Sequence, residues 1–252
     1  MIVPDEIFES RSLAALYDHF NPWSPSDDFY LAQARETGGR ILDLGCGTGM
    51  LACRIAADGL AVVGVDPADG MLQIARSRPG ADKVAWVRGD GQSLRLSERF
   101  DLAYMTGHAF QALLTDADAV AVLRAVARHL APAGRFIVET RNPARQAWLE
   151  WTPAESRTVA QVAGLGPVEE SVDTSPISEA GIVDITHRYR LLDTGAERIG
   201  RSRIRFIGQE HLARLLAAAG LAAVAWYGYW DRQPLSPDSR EIIAVTAADR
   251  TG

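Results

Sequence analysis

The chain has 252 residues, 47% of them apolar, and 26 Lys and Arg against 32 Asp and Glu give it a net charge of −6. That length exceeds one domain of about 150 residues, and the composition excludes a collagen, a disordered tract and a disulfide scaffold. The acidic balance offers no footprint for tracking a nucleic-acid backbone, and the two cysteines, Cys46 and Cys53, fit a reducing, cytoplasmic compartment without structural zinc.

The chain turns acidic at Asp5-Glu6 with no basic and apolar leader before it, so no signal peptide is expected. Residues 10–35 read as two helical pieces broken at Asn21-Pro22-Trp23-Ser24-Pro25, with Tyr17, Phe20 and Trp23 near the break. From Gly38-Gly39 strand and helix alternate: strands over 40–44, 61–65, 84–88, 100–105 and 135–140, helices over 51–57, 70–76 and 117–130. Alternation of this kind predicts a parallel sheet with right-handed crossovers. Thr115 is placed to cap the third of these helices, whose Val120, Leu123, Val126 and Leu130 make one apolar stripe. Past Asn142 the rhythm breaks into extended segments over 168–174, 181–192 and 198–207, a small antiparallel appendage. A helix over 209–219 closed by Gly220, then antiparallel strands over 222–230 and 241–247, complete the chain. The sixteen uncharged residues 215–230 fall short of a bilayer span of ~20 and are divided by Gly220, so they read as core and no membrane partner is expected.

Ile41 to Gly49, ILDLGCGTG, is the most informative segment. A buried strand runs into glycines at alternate positions and then a helix, a layout that lets a ligand reach main-chain N–H groups with no Cβ in the way. A dinucleotide-binding loop wants G-x-G-x-x-G or A; here Gly45 and Gly47 are followed by Met50 at the third position, and Gly49 falls one residue early. Asp43, two residues before the first glycine, would repel a phosphate and suit a cationic ligand. Asp66 closes the second strand 23 residues after Asp43, close to the ~20-residue interval at which an acid meets ribose hydroxyls. Asp90, between Gly89 and Gly91 after the third strand, can accept from an adenine amino group.

These residues together resemble the class I S-adenosylmethionine-dependent methyltransferases, small-molecule type. Asp43, Gly45, Gly47 and Gly49 match that family's first motif, Asp66 its ribose-binding acid, Met71 the apolar residue beside the adenine, and Asp90-Gly91 its adenine-edge motif. The resemblance implies an α/β fold with a Rossmann-like seven-stranded sheet of order 3-2-1-4-5-7-6, the seventh strand antiparallel. It also implies a cofactor, S-adenosylmethionine, released as S-adenosylhomocysteine. The cofactor-binding set it implies is Asp43, Gly45, Cys46, Gly47, Gly49, Asp66, Pro67, Met71, Gly89, Asp90, Gly91 and Thr106, with Cys46 a small loop filler and no reactive thiol. Three units are expected: a helical cover over 1–39, the cofactor-binding domain over 40–143 and 209–252, and a β-rich substrate lid inserted over 144–208.

His108 follows the fourth strand, across the cleft from the glycine loop, and is a candidate general base with Gly107 beside it for space. Tyr17 is the second candidate catalytic residue, a cover over the methionine end of the cofactor. Arg141, Trp148 and Tyr30 are the candidate substrate contacts, Arg141 through its two-pronged geometry for a carboxylate or phosphate. The five histidines show no metal-ligand spacing, and neither a G-x-S-x-G elbow nor a G-K-[ST] loop occurs. The expected activity is methyl transfer to nitrogen or oxygen of a small molecule by a monomer or homodimer. The alternatives are an NAD(P)-dependent oxidoreductase on a related sheet and a cofactor-binding module without catalysis.

Overall fold

A computed structural model describes residues 4–249. Seven strands form one sheet: β1 (Arg40–Leu44), β2 (Ala61–Asp66), β3 (Val84–Arg88), β4 (Phe100–Met105), β5 (Leu130–Arg141), β10 (Leu221–Tyr227) and β11 (Glu241–Ala248). Their order is β3-β2-β1-β4-β5-β11-β10, with β11 antiparallel to both its neighbours, which is the Rossmann-like order expected from the sequence. The central strands are buried on both faces, as a parallel sheet between helices demands: every residue from Ile41 to Leu44 is buried. Helices α4 (Met50–Ala57), α5 (Asp69–Ser77), α6 (Asp116–His129) and α7 (Gln209–Ala218) make the crossovers and the final connection. Thr115 Oγ1 accepts from the Asp118 N–H and caps α6 as its sequence predicts.

Before the sheet come α1 (Glu6–Glu9), α2 (Arg11–Phe20) and α3 (Pro25–Thr37). The Pro22 to Pro25 break falls between α2 and α3, where Asp27 accepts from the Ser24 N–H at 2.8 Å and starts the new helix. Phe29, Tyr30, Leu31 and Ala34 of α3 pack with Ile41, Leu51 and Tyr104 into one of the two large cores flanking the sheet. Helices α1 and α2 lie elsewhere, with Ala14 of α2 buried against Ala68 and Met71 at the start of α5.

The insertion is a separate four-stranded antiparallel sheet of β6 (Thr158–Val162), β7 (Gly166–Thr174), β8 (Ile182–Leu191) and β9 (Glu197–Arg205). Strand β6 went unread in the sequence because its alternation is short and mostly exposed. One face of this sheet is apolar at both ends. Val162, Val168, Tyr189 and Leu191 pack on Ile7, Leu13 and Leu16 of α1 and α2, while Val183 and Ile185 pack on Trp148 and Phe206. No helix among the described residues is long and apolar enough to cross a membrane.

Candidate active site

The glycine loop turns out of β1 with φ of +82° at Gly45, +53° at Gly47 and +74° at Gly49, values L side chains avoid. A Cβ at Gly45 would lie 2.8 Å from that of Ala109, and one at Gly49 would lie 2.4 Å from Trp86 Cη2, so these two glycines are required by packing. Gly47 differs, since a Cβ there would meet nothing within 4 Å. The expectation that the loop offers free main-chain donors is corrected: the Gly45 and Cys46 N–H groups both donate to Val65 O, Gly49 N–H to Cys46 O, and Gly47 N–H to Asp66 Oδ2. Its donors are turned inward, an arrangement unsuited to a pyrophosphate.

Carboxylates gather at the same strand ends. Asp66 is held by two backbone donors, Gly47 at 2.9 Å and Ala68 at 2.8 Å, and burial nonetheless pushes it up to about 6. Asp43 is 1% exposed with Oδ1 unbonded; burial pushes it up to about 8, Asp66 and Asp27 add to that, and the nearby Tyr104 hydroxyl, outside hydrogen-bond geometry, offsets only part. A ligand bearing positive charge would draw this orphaned buried carboxyl back toward its charged form, whereas a phosphate would hold it protonated. At the end of β3, Asp90 Oδ1 accepts from the Ser93 N–H at 2.8 Å and closes a turn, and Gly89 N–H donates to Asp66 O, so the second and third strand ends are tied together. Gly91 packs against Val122 and Leu44. Cys46 is a buried thiol pushed well above its usual range, in keeping with a filler.

The N-terminal helices close over this end. Met71 is 2% exposed beneath Ala14, Phe8 and Tyr17, and Phe8 and Glu9 run directly over Gly70, where a Cβ would lie 2.4 Å from Glu9 O. Arg88 Nε reaches Pro67 O at 3.4 Å on the same rim. Asp18 takes the Thr48 hydroxyl at 2.6 Å and pairs with Arg78, joining α2 to the glycine loop and to the residue that ends α5. The Tyr17 hydroxyl points over Gly107, 4.0 Å from where its Cβ would stand, and burial pushes it up to about 12.

A second polar cluster sits at the ends of β4, β5 and β11. Thr106 bonds Ser26 of α3 at 3.1 Å. Gly107 and His108 then turn with φ of +61° and +59°, a rare conformation for histidine, and the turn is fixed by Glu139, whose Oε1 accepts the His108 N–H at 3.2 Å. Glu139 is wholly buried, and its Oε2 accepts from Tyr30 Oη at 3.0 Å and Trp230 Nε1 at 2.7 Å. The His108 ring reaches Glu241 Oε2 through Nε2 at 2.9 Å. Arg141, opposite Glu241 in the β5–β11 register, donates to Gln111 Oε1 at 2.9 Å and lies 5.0 Å from the centre of the Trp151 ring.

The comparisons with known proteins come to the same place. Residues 41–134, glycine loop through the start of β5, match the family described as a methyltransferase domain. Over 219 residues, 86% of each chain, the sequence is 26% identical to the cypemycin N-terminal methyltransferase of a Streptomyces species. Residues 41–134 are therefore a methyltransferase domain, and the chain over most of its length is similar to a methyltransferase. The fold alone is shared with an S-adenosylmethionine-dependent methyltransferase of Clostridium acetobutylicum, at 16% identity and a TM-score of 0.77 over 94% of this chain and 98% of that one. It is shared also with the sugar N-methyltransferase KedS8 of a Streptoalloteichus species, at 17% identity and 0.72 over 97% and 96%.

Three expected roles need correction. Trp148 is 7% exposed and packs edge-on against Phe206 at 4.6 Å inside the inserted sheet, so it presents no face to a substrate; Trp151 holds the position against Arg141 instead. Tyr30 is fully buried, and its hydroxyl is spent on Glu139 rather than on a substrate. His108 is no independent base, because burial and the Arg141 charge push it down to about 3 and its Nε2 is committed to Glu241. Glu139, Glu241 and Trp230 were missed in the sequence. Glu139 alone left a trace, an acid in the otherwise apolar run Phe136-Ile137-Val138.

Proposed function

We propose that the methyltransferase moves a methyl group to a nitrogen or oxygen of a small-molecule acceptor held beyond the ends of β4 and β5, beneath the inserted sheet. The cofactor supplies the methyl already activated on a positively charged sulfur, so the protein's contribution is alignment and exclusion of water. Asp66 would take the ribose hydroxyls, Asp90 the adenine edge, and Asp43 the positive charge of the ligand. Tyr17, with α1 and α2, covers the reaction side. The observation that carries this reading is the acid-rich glycine loop with its N–H groups turned inward, which favours a cationic nucleoside over a nicotinamide dinucleotide.

The acceptor reading rests on the inserted sheet bordering this end: Trp151 packs beside its Val183 and Phe206 cluster with Arg141 5.0 Å from its ring, and Gln111 Nε2 donates to Arg205 O at 3.1 Å. Relatives of this fold are named for sugar and N-terminal acceptors, which supports polar, natural-product-like substrates. Calorimetric titration is the test: S-adenosylhomocysteine should bind and NADH should not, with Asp66→Ala weakening binding at least ~30-fold for the charged hydrogen bonds lost. Unchanged affinity in Asp66→Ala would overturn the site assignment.

A further inference from the structure

The His108–Glu241 contact is built from residues 133 positions apart, the ring carried on a left-handed turn and the carboxylate on the first residue of β11. Both side chains are nearly out of solvent, at 13% and 8% exposure. With Nε2 bonded to the carboxylate, the neutral ring donates there and carries its lone pair on Nδ1, which has no hydrogen bond among the described residues. Glu241 itself has no nearer cation: Arg141 faces it from β5 without an ion pair inside 4 Å, its hydrogen bond going to Gln111. We propose that His108 and Glu241 act as one proton acceptor for the methyl acceptor, with Glu241 the positioning and charge-storing partner, and that the acceptor group is an amine arriving as its ammonium ion. This rests on the functional reading above and chooses nitrogen over oxygen within it.

The proton inventory closes. The ammonium gives a proton to Nδ1 of His108, and the Nε2 proton passes to Glu241; the freed nitrogen lone pair then forms the N–C bond as the C–S electron pair returns to sulfur. The product leaves as an ammonium, and the pair returns its proton to water. Burial pushes Glu241 up to about 7 while Arg141 and Arg240 pull it back, and burial and Arg141 push His108 down while Glu139 pulls it up. The Tyr30 hydroxyl faces Glu241 from α3 and Tyr17 faces Arg141 from α2, and both are neutral at physiological pH. A pair that gains its proton near neutrality matches an ammonium, whose pKa lies within a few units, and is far too weak for an alcohol. Glu139, with three donors already on it, is left as scaffold.

The experiment is an NMR titration of the His108 ring, assigned through His108→Asn, in the wild type and in Glu241→Gln, beside methyl transfer to benzylamine and benzyl alcohol followed against pH. The wild type should show a His108 shift change near pH 7 that reports Glu241, and Glu241→Gln should abolish it. Transfer to benzylamine should rise through the same pH, with no transfer to benzyl alcohol. Glu241→Gln should lose that limb and about 100-fold in kcat while keeping its affinity for S-adenosylhomocysteine, which also certifies its fold; Glu241→Asp serves if it does not. A His108 titration untouched by Glu241→Gln, or methylation of the alcohol with the amine left alone, would overturn the proposal. If neither probe is methylated, the NMR result alone decides. Failure of the wild type to bind S-adenosylhomocysteine strikes the functional reading instead.

Discussion

At the ends of β1 and β2, Asp66 is held by backbone N–H groups, those of Gly47 and Ala68, whereas at the ends of β5 and β11 Glu139 is held mainly by side chains, Tyr30 and Trp230, drawn from opposite ends of the chain. The first region is made by the local course of the main chain, and the second by long-range packing. They differ accordingly in what they tolerate. Glycine loop geometry depends on φ and on the absence of Cβ atoms, while the second cluster depends on strand register and on three aromatic walls, Trp151, Trp230 and Tyr17.

Five substitutions sharpen that contrast, beginning with the largest. Trp148→Ala removes the ring that Phe206 and Val183 enclose in the inserted sheet, and should cost about 3–5 kcal/mol by denaturant unfolding. S-adenosylhomocysteine affinity should change less than about twofold, since the Trp148 ring packs with Phe206, Val183 and Ile185 and not with the glycine loop; a large drop would show that the two regions are not separable. Gly49→Ala, at φ +74° and 2.4 Å from Trp86, should cost about 2–3 kcal/mol of stability. Gly47→Ala, at φ +53° in open space, should cost only about 1 kcal/mol and act mainly on cofactor affinity. Thermal melts beside calorimetry separate these two effects.

The fourth is a pH effect. The Asp43 carboxyl is pushed up to about 8 in the folded chain, from an unfolded value of about 3.9. The folded state therefore keeps a proton that the unfolded chain releases, and the stability this lends is whole below about pH 4 and lost as the pH climbs through about 8. Asp43→Asn should flatten that dependence, raise the melting temperature at pH 8 by a few degrees, and weaken binding of the positively charged S-adenosylmethionine more than of uncharged-sulfur S-adenosylhomocysteine. Equal losses for the two ligands would place Asp43 away from the charge. Smallest is Asp18→Asn, which loosens the Arg78 and Thr48 contacts of α2; with both charged partners partly exposed, a loss under about 1 kcal/mol is expected.

The sheet was legible because each βα unit is signed locally. Val62 to Val65 followed by Asp66, or Thr115 before the stripe of α6, needs only neighbouring residues to be read. The loop glycines were legible for the same reason, though their purpose was half misread: the main-chain donors serve the loop itself, because the nearest acceptors, Val65 O and Asp66, belong to the next strand. Trp148 and Trp151 stand three residues apart in a segment with no periodicity, and nothing in the sequence says which of them turns inward. Tyr30 reads as any aromatic on a helix until Glu139 is seen beneath it.

The sequence by itself determined the alternating strands and helices and the acids at successive strand ends, since strand, turn and helix signals act over a few residues and the ligand end of such a sheet follows from the direction of its strands, while the sheet order came from the family resemblance those residues carry. Only the tertiary structure decided which side chains meet beyond that end. Strand β11 returns antiparallel beside β5 and sets Glu241 across from Arg141, within reach of His108. A register of that kind is fixed by the packing of the whole sheet and by the alternation of its side chains, and a shift of one residue would turn Glu241 to the opposite face.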